Sequence, residues 1–185
     1  MEKNFFKNLF LILTVILLLL PLITTFNEFL TTIVMKIEIY RTIQDKIVPT
    51  EVKMVAGILK VLGIDSQASP TSFLMTKGEE KVGVTISWNC IGWQSLILFL
   101  ITLVMGLQGP YKAYSKVKTI IIGFLGTLLV NIFRVTLVAL IAYFFGRFPA
   151  VLFHDYGSTL LIVAWIFVFW WLSYSLILEQ TEASH

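Results

Sequence analysis

The hydrophobic residues of the chain collect in runs that are long enough to cross a lipid bilayer. The runs lie at about residues 7–26, 91–107, 119–145 and 157–178. A transmembrane helix needs about 20 predominantly apolar residues. The third run is longer than one crossing needs, and a helix that tilts or projects beyond the bilayer accommodates the excess. The pattern therefore predicts a single integral membrane domain, residues 1–185, with about four transmembrane helices.

Residues 27 to about 89 differ from these runs, because charges of both signs appear every few positions. Apolar residues recur there at helical spacing in two stripes: Ile33, Ile37, Tyr40 and Ile47, then Val52, Val55, Leu59 and Leu62. Pro49 separates the stripes, and neither segment is long enough to span a bilayer. We expect two amphipathic helices that lie at the membrane surface, the second beginning just after Pro49.

A short β-hairpin is predicted between these helices and the second apolar run. Val82, Val84 and Ile86 alternate with small or polar residues, and a turn-like Lys-Gly-Glu-Glu segment precedes them. This hairpin leads directly to Cys90. The predicted fold class is thus an all-α membrane protein, with amphipathic helices and a short β-hairpin outside the bilayer.

Lysine residues set the expected orientation. Lys3 and Lys7 precede the first run, and the loop after the second run carries Lys112, Lys116 and Lys118 without an acidic residue. The positive-inside rule places these segments in the cytoplasm. We therefore expect both termini inside and residues 27–89 outside, as an extracytoplasmic segment of a multi-pass protein of the cell membrane. The first run is interpreted as a retained signal anchor, because no small-residue cleavage site follows it.

Composition agrees with a membrane protein and excludes several classes of function. The 185 residues are 57% hydrophobic and 14% charged, whereas soluble domains are about a quarter charged. The net charge of +3 is small, and no basic segment carries interleaved aromatic residues, so nucleic acid is not an expected partner. One cysteine and two histidines make no convincing zinc site. We expect neither a metal ion nor another cofactor.

Three chemically capable side chains lie at one expected depth in the membrane. The second run begins at the outer face with Cys90, and His154 precedes the fourth run, which also begins there. Arg134 follows Lys118 by sixteen residues, or about 24 Å along a helix, which places it in the outer part of a core about 30 Å thick. The topology fixes their common depth but not their lateral distance.

Cys90 has two interpretations. Buried cysteine is common as a small apolar residue, and a lone thiol is otherwise a reactive group. Its position between a hairpin and a helix favours the second, because the positive end of a helix dipole favours a thiolate. Free amides at such a helix start can also bind an oxyanion. Asn89 adjoins the cysteine and is a candidate supporting residue.

Arg134 and His154 also each have a structural alternative. An arginine within a span costs at least about 2.5 kcal/mol and is rarely present without a partner. Arg134 shares a helix face with Asn131, and it is either part of a site or a structural residue paired with a carbonyl group or with Asp155. His154 is either an interfacial anchor or a general base. Asp155 either orients the imidazole or caps the following helix.

The segments around these residues resemble the exosortase/archaeosortase family of membrane transpeptidases. The matching motifs, in the family's order, are Asn-Cys-Ile-Gly-Trp-Gln-Ser at 89–95, Asn-Ile-Phe-Arg-Val at 131–135 and Phe-His-Asp-Tyr-Gly at 153–157. The resemblance covers about residues 82 to 175. It implies that Cys90 is the nucleophile, that His154 shuttles the proton and that Arg134 steadies the thiolate or the oxyanion.

The resemblance also implies a substrate class. Enzymes of this family are thought to cleave C-terminal sorting signals, which consist of a short motif, a hydrophobic span and a basic tail. A cysteine thioester would then pass the exported protein to a lipid or another amine acceptor. The leading alternative is a non-enzymatic assembly factor or small transporter subunit with a structural Arg134. A thiol redox protein is disfavoured, because the chain has no second cysteine to resolve a mixed disulfide.

Overall fold

The computed structural model describes part of the chain: Thr25, Glu28, Phe29 and residues 31–180. The predicted first span, residues 7–26, therefore lies outside the described residues apart from Thr25. The chain divides after Tyr40 into two compact units. In the first unit, residues 31–36 are helical, and the hydroxyl group of Thr32 donates to the carbonyl oxygen of Glu28 at 2.9 Å.

Helices dominate the described part of the chain. The helices are α1 (Ile39–Thr42), α2 (Val48–Val61), α3 (Trp93–Gly106), α4 (Ala113–Phe145), α5 (Arg147–Leu152) and α6 (Ser158–Leu172). Wider π-helical turns occupy Ile43–Ile47, Phe153–Gly157 and Ser173–Ile177, and a 3-10 turn occupies Trp88–Cys90. The strands are β1 (Ser66–Ala68), β2 (Ser72–Lys77) and β3 (Glu80–Thr85).

Three helical segments among the described residues are long and apolar enough to cross a membrane. They are Trp88–Gly106, Ala113–Phe145 and Arg147–Ile177. The last begins ten residues before the predicted span at 157, so this candidate span starts earlier than predicted. Gly146, with φ of +90°, separates α4 from α5, and Pro149 lies in the first turn of α5. Proline is tolerated in the first turn of a helix, where its missing N–H group needs no partner.

Pro49 shows the same tolerance and corrects a second prediction. We expected this proline to separate two helices, but it lies in the first turn of α2, and helical turns precede it from Ile39 onward. The far end of α2 is closed by Gly63, whose φ of +82° is a left-handed conformation. There the Ile64 amide donates to the Leu59 carbonyl at 2.9 Å, which satisfies a carbonyl group that the helix leaves free.

The predicted hairpin is present as β2 and β3, but it belongs to a larger sheet. β1 pairs antiparallel with β2, which gives three strands in the order β1-β2-β3. The prediction missed β1, because a three-residue strand carries too few alternating positions to stand out. Ser66 of β1 donates through its hydroxyl group to the Ala56 carbonyl of α2 at 2.9 Å. Phe73 and Met75 of β2 are fully buried, so the sheet shares a core with α2.

The turn of the hairpin is fastened to the end of α4. The ammonium group of Lys77 donates to the Tyr143 carbonyl at 2.8 Å, and the Tyr143 hydroxyl lies 3.4 Å from the Thr76 carbonyl. A cation at the C-terminal end of a helix is favoured by the dipole. This contact holds the sheet beside α4, and β3 then delivers the chain to the turn at Trp88–Cys90.

α4 carries small and polar residues along the face that packs against its neighbours. Seven of its nine buried residues recur every four positions: Ser115, Thr119, Gly123, Thr127, Asn131, Val135 and Ala139. Small residues allow close packing of helices in a membrane. At Gly123 the rings of Phe99 (α3) and Phe169 (α6) fill the space, with their centroids 5.0 Å apart in an edge-to-face arrangement. The stripe thus makes α4 the central helix of the three.

The close approach at Gly123 predicts a loss of stability in Gly123→Ala. An added Cβ would lie 2.1 Å from Phe99 Cζ, and such overpacking typically costs about 1–3 kcal/mol. Thermal unfolding in detergent micelles, followed by tryptophan fluorescence, should show a lower Tm. The control is Gly57→Ala in α2, where nothing lies within 4 Å and alanine is the better helix former. Equal Tm changes in the two variants would contradict this packing.

Candidate active site

Cys90 lies at a sharp change of direction between β3 and α3. Its amide donates to the Ser87 carbonyl at 2.8 Å, which closes the 3-10 turn. Gly92 follows with φ of +79°, a conformation that favours glycine, and α3 begins at Trp93. The Cys90 amide is therefore already used and is not available as an oxyanion donor.

Side chains on both sides hold this turn in place. The Trp88 amide donates to Gln44 Oε1 at 2.8 Å, which ties the turn to the π-helical segment before α2. Gln94 Nε2 donates to Asn89 Oδ1 at 3.0 Å, and the rings of Trp88 and Trp93 stack with centroids 5.9 Å apart. Asn89, a predicted supporting residue, thus braces the turn through Gln94.

The structure brings His154 to Cys90. Nε2 of the imidazole lies 3.4 Å from the Cys90 sulfur, and the Ser87 hydroxyl lies at the same distance on another side. His154 is placed by the π-helical turn Phe153–Gly157, and such turns often occur at functional sites. A proton can pass directly between the sulfur and the imidazole at hydrogen-bond distance.

Asp155 contacts the other side of the imidazole. Its Oδ1 lies 3.0 Å from His154 Nδ1, and both side chains are about half exposed. The alternative, that Asp155 caps the following helix, is not what the structure has: the N-cap of α6 is Gly157, without a side-chain cap bond. A carboxylate at Nδ1 fixes the tautomer that leaves Nε2 free to accept a proton from sulfur.

Arg134 reaches Cys90 from the buried side. Its Nη2 donates to the Cys90 carbonyl oxygen, and Asn131 Nδ2 lies 3.4 Å from the same oxygen. The sequence left open whether Arg134 serves a site or pairs with a carbonyl group for structure. The structure shows a carbonyl partner, and that carbonyl belongs to the candidate nucleophile. Arg134 and Asn131 therefore both act on the main chain that carries the sulfur.

Gly92 lets Asn131 approach this closely. A Cβ built on Gly92 would lie 2.6 Å from both Cγ and Oδ1 of the Asn131 side chain. The glycine in the Asn-Cys-Ile-Gly segment thus serves two needs, a positive φ and room for the amide. The motifs at residues 89–95 and 131–135, which are far apart in the chain, are in direct contact.

Glu51 is a member of this cluster that the sequence analysis missed. It is 7% exposed, and its Oε1 accepts a hydrogen bond from Asn131 Nδ2 at 2.7 Å. Burial raises the pKa of Glu51 to about 7, against the opposing attraction of Arg134. The carboxyl group lies in α2, outside the three candidate spans.

The arrangement has two sides with different chemistry. On the exposed side, carboxylate, imidazole and thiol form a chain that can move a proton and generate a sulfur nucleophile. On the buried side, a cation, an amide and a carboxyl group hold the backbone of that nucleophile. Such a site is suited to attack on a carbonyl group and formation of a thioester.

Comparison with known families agrees with the motifs. The family profile described as "Transmembrane exosortase (Exosortase_EpsH)" matches residues 3–171, which is most of the chain. No curated protein and no solved structure shows significant similarity to the chain.

The contact between Gly92 and Asn131 predicts that Gly92→Ala slows labelling of Cys90 by N-ethylmaleimide. The added methyl group displaces the Asn131 amide, and with it the backbone that holds the sulfur near His154. Small misplacements can cost up to about 100-fold in rate, and we expect about a 10-fold loss at neutral pH.

The matched control for this variant is Gly63→Ala. Gly63 has nearly the same backbone conformation, with φ of +82°, but nothing lies within 4 Å of its added Cβ. Both variants carry the strain of a left-handed residue, about 1–2 kcal/mol, but only Gly92→Ala also collides with Asn131. Labelling of Gly92→Ala at the rate of Gly63→Ala would show that this contact does not affect Cys90.

The raised pKa of Glu51 predicts how stability depends on pH. The folded protein holds the proton more tightly than the unfolded chain does, since the pKa rises from 4.5 to about 7. This contribution is fully present below pH 4.5 and is lost as pH rises through about 7. At about 1.4 kcal/mol per unit, the loss approaches about 3 kcal/mol. Glu51→Gln should reduce the fall in Tm across this window, whereas Glu80→Gln, at an exposed strand position, should not.

Proposed function

The chain belongs to the transmembrane exosortase family, and we propose that it cleaves C-terminal sorting signals of exported proteins and transfers these proteins to an acceptor. The acceptor is a lipid or another molecule with an amine. The observation that carries this proposal is the 3.4 Å distance between the Cys90 sulfur and His154 Nε2, with Asp155 behind the imidazole. The enzyme would be a cysteine peptidase and transpeptidase.

The first half of the proposed reaction forms a thioester. His154 Nε2 takes the proton of the Cys90 thiol, and the sulfur attacks the carbonyl carbon of the scissile peptide bond. The tetrahedral intermediate collapses as the imidazolium gives its proton to the leaving nitrogen, and the carbon–nitrogen bond breaks. The exported protein is then held on Cys90, and the membrane-spanning tail leaves with a free amine.

The second half releases the protein. An acceptor amine attacks the thioester carbonyl, His154 takes one proton from the amine, and the sulfur leaves. The new amide bond joins the protein to the acceptor, and the proton returns to the sulfur. Water in place of the amine would give hydrolysis by the same steps. The exposed imidazole and carboxylate leave a path for either acceptor from the solvent side.

Arg134 and Asn131 are proposed to hold the nucleophile and not to receive the leaving group. Both interact with the Cys90 carbonyl oxygen, which fixes the turn before the substrate arrives. The positive charge of Arg134 also favours the thiolate and the oxyanion, because the effective dielectric constant is low at this depth. Asn89 supports the turn through Gln94.

The proposed substrates arrive from the same membrane. A tail with a short motif, a hydrophobic span and a basic end places its cleavage site where the span leaves the bilayer. Cys90 lies at the start of one candidate span, and His154 lies seven residues after the start of another, so the sulfur would lie near that level. With the lysine-rich segment at residues 112–118 in the cytoplasm, this level would be at the extracytoplasmic face of the cell membrane.

An assembly factor or transporter subunit remains the second candidate. A structural Arg134 bonded to a carbonyl group is compatible with it. A non-enzymatic role, however, does not explain why a thiol, an imidazole and a carboxylate form a chain of hydrogen bonds on an exposed surface. The enzyme hypothesis accounts for both sides of the site, and we therefore prefer it.

The test is processing of a membrane protein with a motif, span and basic tail in cells that hold equal amounts of each variant. Wild type should trim the tail, and Cys90→Ala should abolish trimming, because no thioester can form. His154→Ala should reduce the rate by about 100-fold or more, in the range of general-base catalysis. Arg134→Ala should also reduce it strongly, and Asp155→Asn less so.

Two variants control for the loss of a charge or a ring at another position. His185→Ala removes the second histidine of the chain, and Arg147→Ala removes an exposed arginine at the start of α5. Both should process the tail at the wild-type rate. Trimming by Cys90→Ala of every tail that wild type trims would show that Cys90 is not the nucleophile, and the second candidate function would then be preferred.

A further inference from the structure

Glu51 is distant in sequence from the proposed catalytic residues, but it contacts the residue that supports them. Asn131 Nδ2 donates to Glu51 Oε1 at 2.7 Å and lies 3.4 Å from the Cys90 carbonyl oxygen. The same carbonyl group accepts a hydrogen bond from the guanidinium group of Arg134. One amide therefore joins a buried carboxyl group of α2 to the main chain of the proposed nucleophile.

We propose that Glu51 is a positioning residue, which holds the Asn131 amide against the Cys90 carbonyl and so keeps the sulfur within reach of His154. The inference rests on the proposed function of Cys90 and adds a residue from outside the three motifs. An amide nitrogen that has two acceptors on different elements has little freedom to rotate. Without Glu51, the amide would have only the longer contact with the carbonyl group to orient it.

Packing alone does not explain a glutamate at this position. The face of α2 toward the core consists of fully buried aliphatic side chains, namely Val48, Val52, Val55 and Leu59, and Glu51 shares that face. A buried carboxyl group is unfavourable unless polar partners compensate for its lost hydration. An aliphatic residue would fill the space at lower cost, so the effect of Glu51 lies in its polar contacts.

Glu51 has a second possible effect, through charge. Its Oε2 and the Nε of Arg134, an acceptor and a donor, are buried and have no hydrogen-bond partner within the part of the chain that the structure describes. The attraction between Glu51 and Arg134 is one of the influences on the carboxyl group. Removal of the negative charge of Glu51 would favour the Cys90 thiolate. Loss of the Glu51 oxygen that accepts from Asn131 would instead misplace the Cys90 sulfur. The two effects therefore change the reactivity of Cys90 in opposite directions.

Alkylation of Cys90 by iodoacetamide separates the two effects. The full chain, reconstituted in phosphatidylcholine vesicles, is labelled across the pH range in which thiols and imidazoles titrate. Positioning predicts that Glu51→Ala reacts about 10-fold more slowly than wild type at neutral pH. It also predicts that Glu51→Gln recovers most of that loss, because the glutamine oxygen can accept the same bond from Asn131. A pure charge effect predicts faster reaction in both variants.

Two further variants make the result specific. Val52→Ala removes a fully buried side chain next to Glu51 and should label at the wild-type rate if packing of α2 is not the cause. The double variant Glu51→Ala/Asn131→Ala should react no more slowly than Asn131→Ala alone, because Glu51 acts through that amide. Equal rates for Glu51→Ala and Glu51→Gln, or an equal loss in Val52→Ala, would overturn the proposal.

Labelling in vesicles and processing in cells together distinguish this inference from the proposed function. Labelling reports on the placement of the sulfur, whatever reaction the sulfur performs. If Cys90→Ala still processes tailed substrates while the labelling series behaves as expected, the proposed function fails and the role of Glu51 stands. If processing depends on Cys90 but labelling is insensitive to Glu51→Ala, only the role of Glu51 fails.

Discussion

The carbonyl oxygen of Cys90 accepts hydrogen bonds that join the membrane helices to the region before them, which carries α2 and the sheet. Arg134 of α4 donates to it, and Asn131 links it to Glu51 of α2. A guanidinium or a carboxyl group buried alone would be strongly unfavourable, whereas together with an amide they compensate one another. The turn that carries the sulfur is thereby held on its buried side by groups that face little solvent. On its exposed side, the sulfur contacts His154, which contacts Asp155. The rest of the site follows from this division.

Much of the site could be predicted because its residues are unusual where they occur. An arginine within an apolar run, a single cysteine at the start of another and a histidine before a third stand out in a sequence of this kind. Helix rise and loop charge predicted a common depth for these residues. Their lateral distance could not be predicted in this way, because it depends on how closely α3 and α6 pack on α4. That packing is set by small residues such as Gly123, whose role is visible only when the rings of Phe99 and Phe169 are seen beside it.

Glu51 escaped notice for a different reason. It lies in a segment with charges of both signs, where one more acid is unremarkable. The available signal was its place on the apolar stripe of α2, between Val48 and Val55 at helical spacing. The boundaries of the helices were less predictable at prolines: Pro49 and Pro149 both lie in first turns, where the residue favours a start and not an interruption. The strand β1 is too short to show a period.

The π-helical turn at Phe153–Gly157 has a consequence for the way the last helix can change. Such a turn accommodates one residue more than an α-helical turn, so the helix after it is rotated by about 100° relative to an uninterrupted α-helix. The direction in which His154 points and the side of α6 that faces α4 are therefore set separately. A deletion of one residue within this turn would restore the α-helical phase and turn the imidazole away from the sulfur, while every side chain of α6 could keep its place. Insertion or deletion of one residue in this turn can therefore change the orientation of His154 without changing the surface that α6 presents to lipid.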